Sequence, residues 1–185
     1  MTYYGGRELA EGFRTVRNNT IQIAEEIPEE NYSFKPAEGS RTVAQTLAHI
    51  GLGPGFQTYI HQNRLDSLTK VNFTELLQTF GVEEAKPRTK AELIAFLKDE
   101  GDKFATYLES VDESFLAEQV GMMPGAQPTA KCRLEMLMSA KEHEMHHRAQ
   151  LMVVQRMLGL TPHLTRQQQQ RIAARAAQQA PAATR

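Results

Sequence analysis

Cysteine is nearly absent from this chain. Cys132 is the only one among 185 residues, so no internal disulfide can form and the fold must rest on packing. That fits a reducing compartment, and Cys132 itself reads as a small reduced packing residue. Charge of either sign is also lacking in excess: 21 Lys and Arg oppose 22 Asp and Glu, for a net charge of −1. Such a balance gives no electrostatic case for nucleic acid or for an anionic membrane as partner. No apolar run approaches the roughly 18 residues that a bilayer span needs. The start, Met1 to Glu8, lacks a basic flank followed by an apolar core, so it does not read as a signal peptide. A cytoplasmic location is the expectation. Strand signals are scarce, and no fixed-period repeat is present.

What the chain has is helical periodicity. Leu9, Phe13, Val16, Thr20, Ile23 and Ile27 recur at steps of four and three, the stripe of an amphipathic helix over about Gly6–Ile27, stopped by Pro28. Thr42-Val43-Ala44-Gln45 is a capping-box pattern opening a second helix to about Asn63. Gly51, Gly53, Pro54 and Gly55 interrupt its middle, and Pro54 cannot donate to the Ile50 carbonyl, so a kink or break is expected there. A short helix is predicted from Asn72 to Phe80, with Gly81 as its stop. A third long helix starts at the capping box Thr89-Lys90-Ala91-Glu92 and carries Ile94, Leu97, Gly101, Phe104, Leu108 and Val111. Residues 117–130 hold Gly121, Pro124, Gly125 and Pro128 and read as an irregular loop or a short hairpin. A fourth helix runs from about Lys131 to Leu158 and ends at Gly159 and Pro162.

Four long helices with little strand signal predict an all-α protein, a four-helix bundle. The long connections between helices two, three and four allow crossover topology. Residues 1–163 are expected to form the bundle. Residues 164–185, rich in Gln, Ala and Arg, form a tail, either solvated and partly helical or packed on a partner subunit.

The chemistry concentrates in Lys141-Glu142-His143-Glu144-Met145-His146-His147-Arg148-Ala149-Gln150-Leu151. Three of the six histidines fall here. At about 100° per residue, Met136, Ala140, Leu151, Val154 and Leu158 form an apolar stripe, and His143 and His147 lie in its middle. His146 lies toward the flank. Lys141, Glu144, Arg148 and Gln155 cluster on another side, suited to solvent or an interface. A lone histidine on an apolar face is usually a satisfied core residue. Two of them one turn apart need partners for four ring nitrogens, and a shared metal ion is one solution.

The same residues also satisfy His-Glu-x-x-His, the zincin pattern. That reading needs a third ligand downstream and a Glu at the metal. His163 lies beyond Pro162, and Glu144 is on the polar side of the wheel, so the pattern is weak here. The better third ligand is His49 in the second helix, on a secondary stripe with Leu52, Phe56 and Ile60. The neighbouring glycines either only bend that helix or clear room beside His49 for a substrate. His61 and His163 are expected at the surface.

Phe34-Lys35-Pro36, Arg41-Thr42-Val43-Ala44-Gln45-Thr46-Leu47-Ala48-His49-Ile50 and Glu142-His143-Glu144-Met145-His146-His147-Arg148-Ala149-Gln150-Leu151 together resemble the DinB family of DinB/YfiT-like metalloenzymes, over roughly residues 5–160. The resemblance implies an up-down-down-up bundle, frequent homodimers, and a divalent metal held by three histidines, here His49, His143 and His147. It implies transfer of low-molecular-weight thiols or action on small electrophiles. Two departures stand out: Ala149 replaces a common glycine, and Gly51–Gly55 replaces bulky aromatics. Zinc, nickel, iron and manganese all suit imidazole donors. Two function classes follow. One is a metal-dependent hydrolase or thiol transferase acting on a small molecule. The other is a stress-associated metal-binding dimeric scaffold without turnover. Gln150 is a candidate to orient a ligand or substrate near His143.

Overall fold

The computed structural model describes residues 4–179. Its four long helices are α1 (Gly6–Glu26), α2 (Val43–Gln62), α4 (Lys90–Ser110) and α6 (Arg133–Met157). Between them lie α3 (Phe73–Ala85), α5 (Glu113–Ala117) and a two-stranded antiparallel ribbon of β1 (Gln119–Gly121) and β2 (Ala130–Cys132). A last helix, α7 (His163–Gln179), follows. Both capping boxes form: the backbone nitrogen of Gln45 donates to Thr42 Oγ1 at 3.1 Å, and that of Glu92 to Thr89 Oγ1 at 3.2 Å. Each satisfies amides that a helix start leaves orphaned.

Helix α1 packs on α4 and α6, and α2 packs on the same two, so α1 and α2 sit diagonally. Contacts give the directions. Gly6 abuts Leu108, and Arg17 abuts Gly101, so α1 and α4 are antiparallel. Arg17 meets Glu144 and Gln155 meets Glu26, so α1 and α6 are parallel. His49 meets His143 and Gln57 meets Ser139, so α2 opposes α6. The order is up-down-down-up, the crossover bundle expected from the sequence.

Three apolar clusters fill the bundle. Leu47, Ile50, Leu93, Leu97 and Leu151 occupy one end. Phe13, Phe104, Leu108 and Leu137 occupy the other. Ile60, Val71, Val120 and Met136 lie beneath the ribbon and the loop after α2.

Two local expectations change. Helix α2 continues through Pro54 without a break. The Ile50 carbonyl, which Pro54 cannot serve, instead accepts from Arg17 Nη2 at 3.2 Å. Tertiary structure thus supplies the missing donor. Helix α3 runs through Gly81 to Ala85 rather than stopping at Phe80, because Gly81 lies inside the helix and costs only about 1 kcal/mol relative to Ala. The five extra residues carry Glu84 alongside His49.

The glycines of α2 have separate tasks. A Cβ at Gly51 would lie 2.4 Å from the Phe96 ring, so this glycine sets the close approach of α2 to α4. A Cβ at Gly53 would lie 3.1 Å from His143 Nδ1, so this one makes room for an imidazole.

The tail begins as a helix tied to the bundle. His163 Nε2 lies 3.0 Å from Asn19 Oδ1, and Arg166 Nη2 lies 2.5 Å from Glu26 Oε1. From Gln167 to Gln179 the α7 residues are exposed. Residues 180–185 of the expected tail lie outside the described residues. No described helix is long and apolar enough to cross a membrane.

Candidate metal centre

Helices α2 and α6 cross where Gly53 removes a side chain, and there three imidazoles meet. His49 Nε2 is 3.1 Å from His143 Nε2, and His147 Nε2 is 3.2 Å from His143 Nε2. All three donor atoms lie within 4.8 Å of one another. A tetrahedral ion with metal–nitrogen bonds of about 2.0–2.1 Å would hold its donors about 3.3 Å apart, so the observed spacing suits one cation.

The other ring nitrogens are engaged or walled off. His49 Nδ1 is 2.9 Å from Glu84 Oε2, and Glu84 Oε1 accepts from Arg41 Nε at 2.5 Å. Burial pushes the Glu84 carboxyl up, but its bonds to Arg41 and His49 outweigh that and hold it below the usual carboxylate range. It is therefore an anion and His49 Nδ1–H is the donor. His147 Nδ1 is 2.9 Å from Gln150 Oε1, while Gln150 Nε2 donates to His146 Nε2 at 3.2 Å. The amide orientation follows: Gln150 oxygen accepts, so His147 also carries its hydrogen on Nδ1. Burial first, then the neighbouring His147 and His49, lower the His143 pKa to about 4. Burial lowers that of His147 as well.

Count the protons on Nε2. His49 and His147 spend their single hydrogen on Nδ1, and neutral His143 has one to give. Three lone-pair positions converge on one point with at most one proton among them. A bound Lewis acid would take all three lone pairs at once. Outer partners of this kind, a carboxylate on one ligand histidine and an amide oxygen on another, are those that fix tautomers at metal sites.

Two cavities border the cluster. One, about 790 Å³, lies between α2, α6 and α3, and His49 and His143 line it together with Phe56, Leu76 and Phe80. The other, about 760 Å³, is more polar, with Lys35, Ser40, Thr46, His147 and Gln150 on its wall. Arg41, Gln45 and Glu84 border both.

The other residues considered from the sequence fall elsewhere. His146 is exposed; its ring lies edge-on to His147 and its Nε2 meets Gln150, so its nitrogens do not join the three that converge. His61 and His163 are each 1% exposed, not at the surface. His61 bridges Arg133 and Gln57, and His163 pins α7 to Asn19. Glu144 and Gln155, placed on the polar side of the wheel, are 1% and 0% exposed. The reason is that α6 has two buried flanks: one faces α2, the other α1. Glu144 meets Arg17 through both carboxylate oxygens at 3.0 Å. It is thereby turned from the imidazoles, which removes the base of a zincin, and His163 is not a ligand. Gln150 serves His147 rather than His143. Cys132 is partly buried and precedes α6 at its cap position, with no role at the cluster. Glu84 and Arg41 were not singled out. Glu84 needed the longer α3 to be found, and Arg41 was visible only as the residue before a capping box.

Known proteins share this build. The uncharacterized protein YjoA of Bacillus subtilis (strain 168) is 26% identical over 156 residues, covering 83% of this chain and 91% of that protein. The crystal structure of YjoA, described as DinB-like, superposes with a TM-score of 0.61, covering 83% of this chain and 94% of that one, at 25% identity. YfiT from Bacillus subtilis, described as a probable metal-dependent hydrolase with an unusual four-helix bundle topology, superposes with a TM-score of 0.66 at 11% identity, covering 87% of this chain and 91% of that one. Residues 1–179 match the family model described as the DinB family, and the chain belongs to that family.

Proposed function

We propose that this chain is a metal-dependent enzyme acting on a small molecule, with His49, His143 and His147 holding one divalent cation through Nε2. The observation that carries the reading is the convergence of three imidazole Nε2 atoms on one point, within 4.8 Å of one another. Three imidazoles leave positions open, as catalytic rather than structural sites do. When bound, the ion would supply Lewis acidity and lower the pKa of a coordinated water or thiol.

The chain's own residues do the rest. Glu84 holds His49 and Gln150 holds His147 with the hydrogen on Nδ1, which keeps each Nε2 lone pair free. Arg41 holds Glu84 ionised and in place. Cavities of about 790 and 760 Å³ on the two sides are of small-molecule size. The neighbour described as a probable metal-dependent hydrolase favours water as the nucleophile. A low-molecular-weight thiol in its place would give thiol transfer through the same residues. Zinc, nickel, iron and manganese all fit the donors.

Elemental analysis of protein purified without an affinity tag, followed by titration with the four metals, tests the first step. About one ion per chain is expected, and His147→Ala should abolish it. The loaded protein is then assayed against esters, amides and thiol-plus-electrophile pairs, with free thiol measured. Hydrolysis without thiol loss identifies a hydrolase, and stoichiometric thiol loss a transferase. Tight metal with no turnover in any assay would favour the scaffold reading. Absence of binding by all four metals overturns the proposal.

A further inference from the structure

The cavity under α3 differs in chemistry from the cluster it adjoins. Leu52 and Phe56 of α2 face Phe73, Leu76 and Phe80 of α3 across it. Most of the polar groups on its wall are already committed. Arg133 Nη1 donates to His61 Nδ1 at 3.1 Å, so the hydrogen of neutral His61 sits on Nε2 and goes to Gln57 Oε1 at 3.1 Å. That turns the Gln57 amide nitrogen toward Ser139 Oγ, which accepts at 2.8 Å. Ser139 in turn donates to the Met136 carbonyl at 2.6 Å. One amide hydrogen of Gln57 is left. At the rim, Arg41 and Glu84 neutralise each other. A wall of this kind repels ions, which would lose their hydration without a partner, and favours apolar surface. Helix α3 carries much of that wall, yet none of its own residues is buried. Phe73 and Leu76 pack on the edge of the Ile60 cluster, and together with Phe80 they also line the cavity.

We propose that this cavity takes an uncharged alkyl or aryl arm of the substrate, while the reacting group lies against Nε2 of His49 and His143. The inference rests on the metal-centre reading above. Straight-chain hydroxamates separate the two, because their head reports the metal and their tail reports the cavity. Zinc-incubated protein is titrated calorimetrically with acetohydroxamate, butanohydroxamate and hexanohydroxamate. Affinity should rise about fourfold for each buried methylene. Phe80→Ala should lower the hexano-to-aceto affinity ratio several-fold and leave acetohydroxamate binding unchanged. If acetohydroxamate binds but affinity does not grow with chain length, the apolar arm is wrong and the metal centre stands. An undiminished ratio in Phe80→Ala overturns the assignment to this cavity. If acetohydroxamate does not bind, the metal reading fails. The cavity is then tested on the same protein with acetamide and hexanamide by NMR shifts of α3 amides. Preferential perturbation by hexanamide supports the apolar pocket, and its absence ends the proposal.

Discussion

Helix α6 buries polar groups on two flanks, and the two differ in how they are satisfied. On the flank facing α1, Glu144 meets Arg17, and the guanidinium also serves the Leu97 carbonyl at 2.7 Å and the Ile50 carbonyl at 3.2 Å. Each nitrogen of the Arg17 guanidinium finds an acceptor inside the chain. On the flank facing α2, His143 and His147 meet His49, and the inward nitrogens outnumber the protons available to them. The first cluster is closed and structural. The second is the one that a bound cation would complete. A buried polar group therefore does not mark a functional site by itself; the convergence of several imidazole nitrogens on one point is what separates the two flanks.

The largest effect should come from breaking the closed cluster. Glu144→Ala leaves the Arg17 guanidinium buried and uncompensated, and a loss of about 3–5 kcal/mol in chemical denaturation is expected. Arg17→Met combined with Glu144→Met should recover most of that loss, since apolar replacements of buried pairs are often neutral. Zinc affinity of the folded protein should stay close to that of wild type. A metal site lost along with the ion pair would dissolve the distinction between the flanks.

A comparable effect belongs to the buried His61. Burial first, and then Arg133, lower its pKa from the usual 6.5 to about 4. Between these values the unfolded chain takes up a proton that the folded chain refuses. The contribution of His61 is therefore complete above about pH 6.5 and is lost as pH falls toward 4, by up to about 3 kcal/mol. Denaturation of metal-free protein at pH 7 and pH 4.5 should show it. His61→Gln, which can still accept from Arg133 and donate to Gln57, should flatten the dependence, and an unchanged slope would assign it to other groups.

On the open flank, removing an outer partner should cost affinity rather than fold. Glu84→Ala is expected to weaken zinc binding about 10–100-fold, read by calorimetry, with a melting temperature near that of wild type because α3 buries none of its residues. The smallest effect is expected for His146→Ala. This exposed ring reaches the site only through the amide of Gln150 and an edge contact with the His147 ring, so zinc affinity should change by about twofold or less. A loss as large as that for His147→Ala would make His146 a ligand and redraw the site.

How legible was this in the chain? Long stripes and two capping boxes located the four main helices to within a few residues, because local spacing and end signals specify a helix. The same periodicity set His143 and His147 on a core-facing stripe apart from His146. It misjudged Glu144 and Gln155, because a wheel has one polar side whereas a bundle helix can be covered on two. It misjudged His61 and His163 too, since burial near helix ends depends on what folds over them: Arg133 and Phe115 in one case, Asn19 in the other.

The sequence by itself determined an all-helical bundle, through periodicity and caps, and the pair of inward histidines on α6, through their spacing of one turn. Only the tertiary structure decided how the Ile50 carbonyl is satisfied beside Pro54, that α3 runs on through Gly81 to bring Glu84 onto His49, and that three Nε2 atoms meet without enough protons. Those outcomes depend on contacts between residues as far apart as Arg17 and Glu144, or His49 and His143, and no local pattern encodes such pairings.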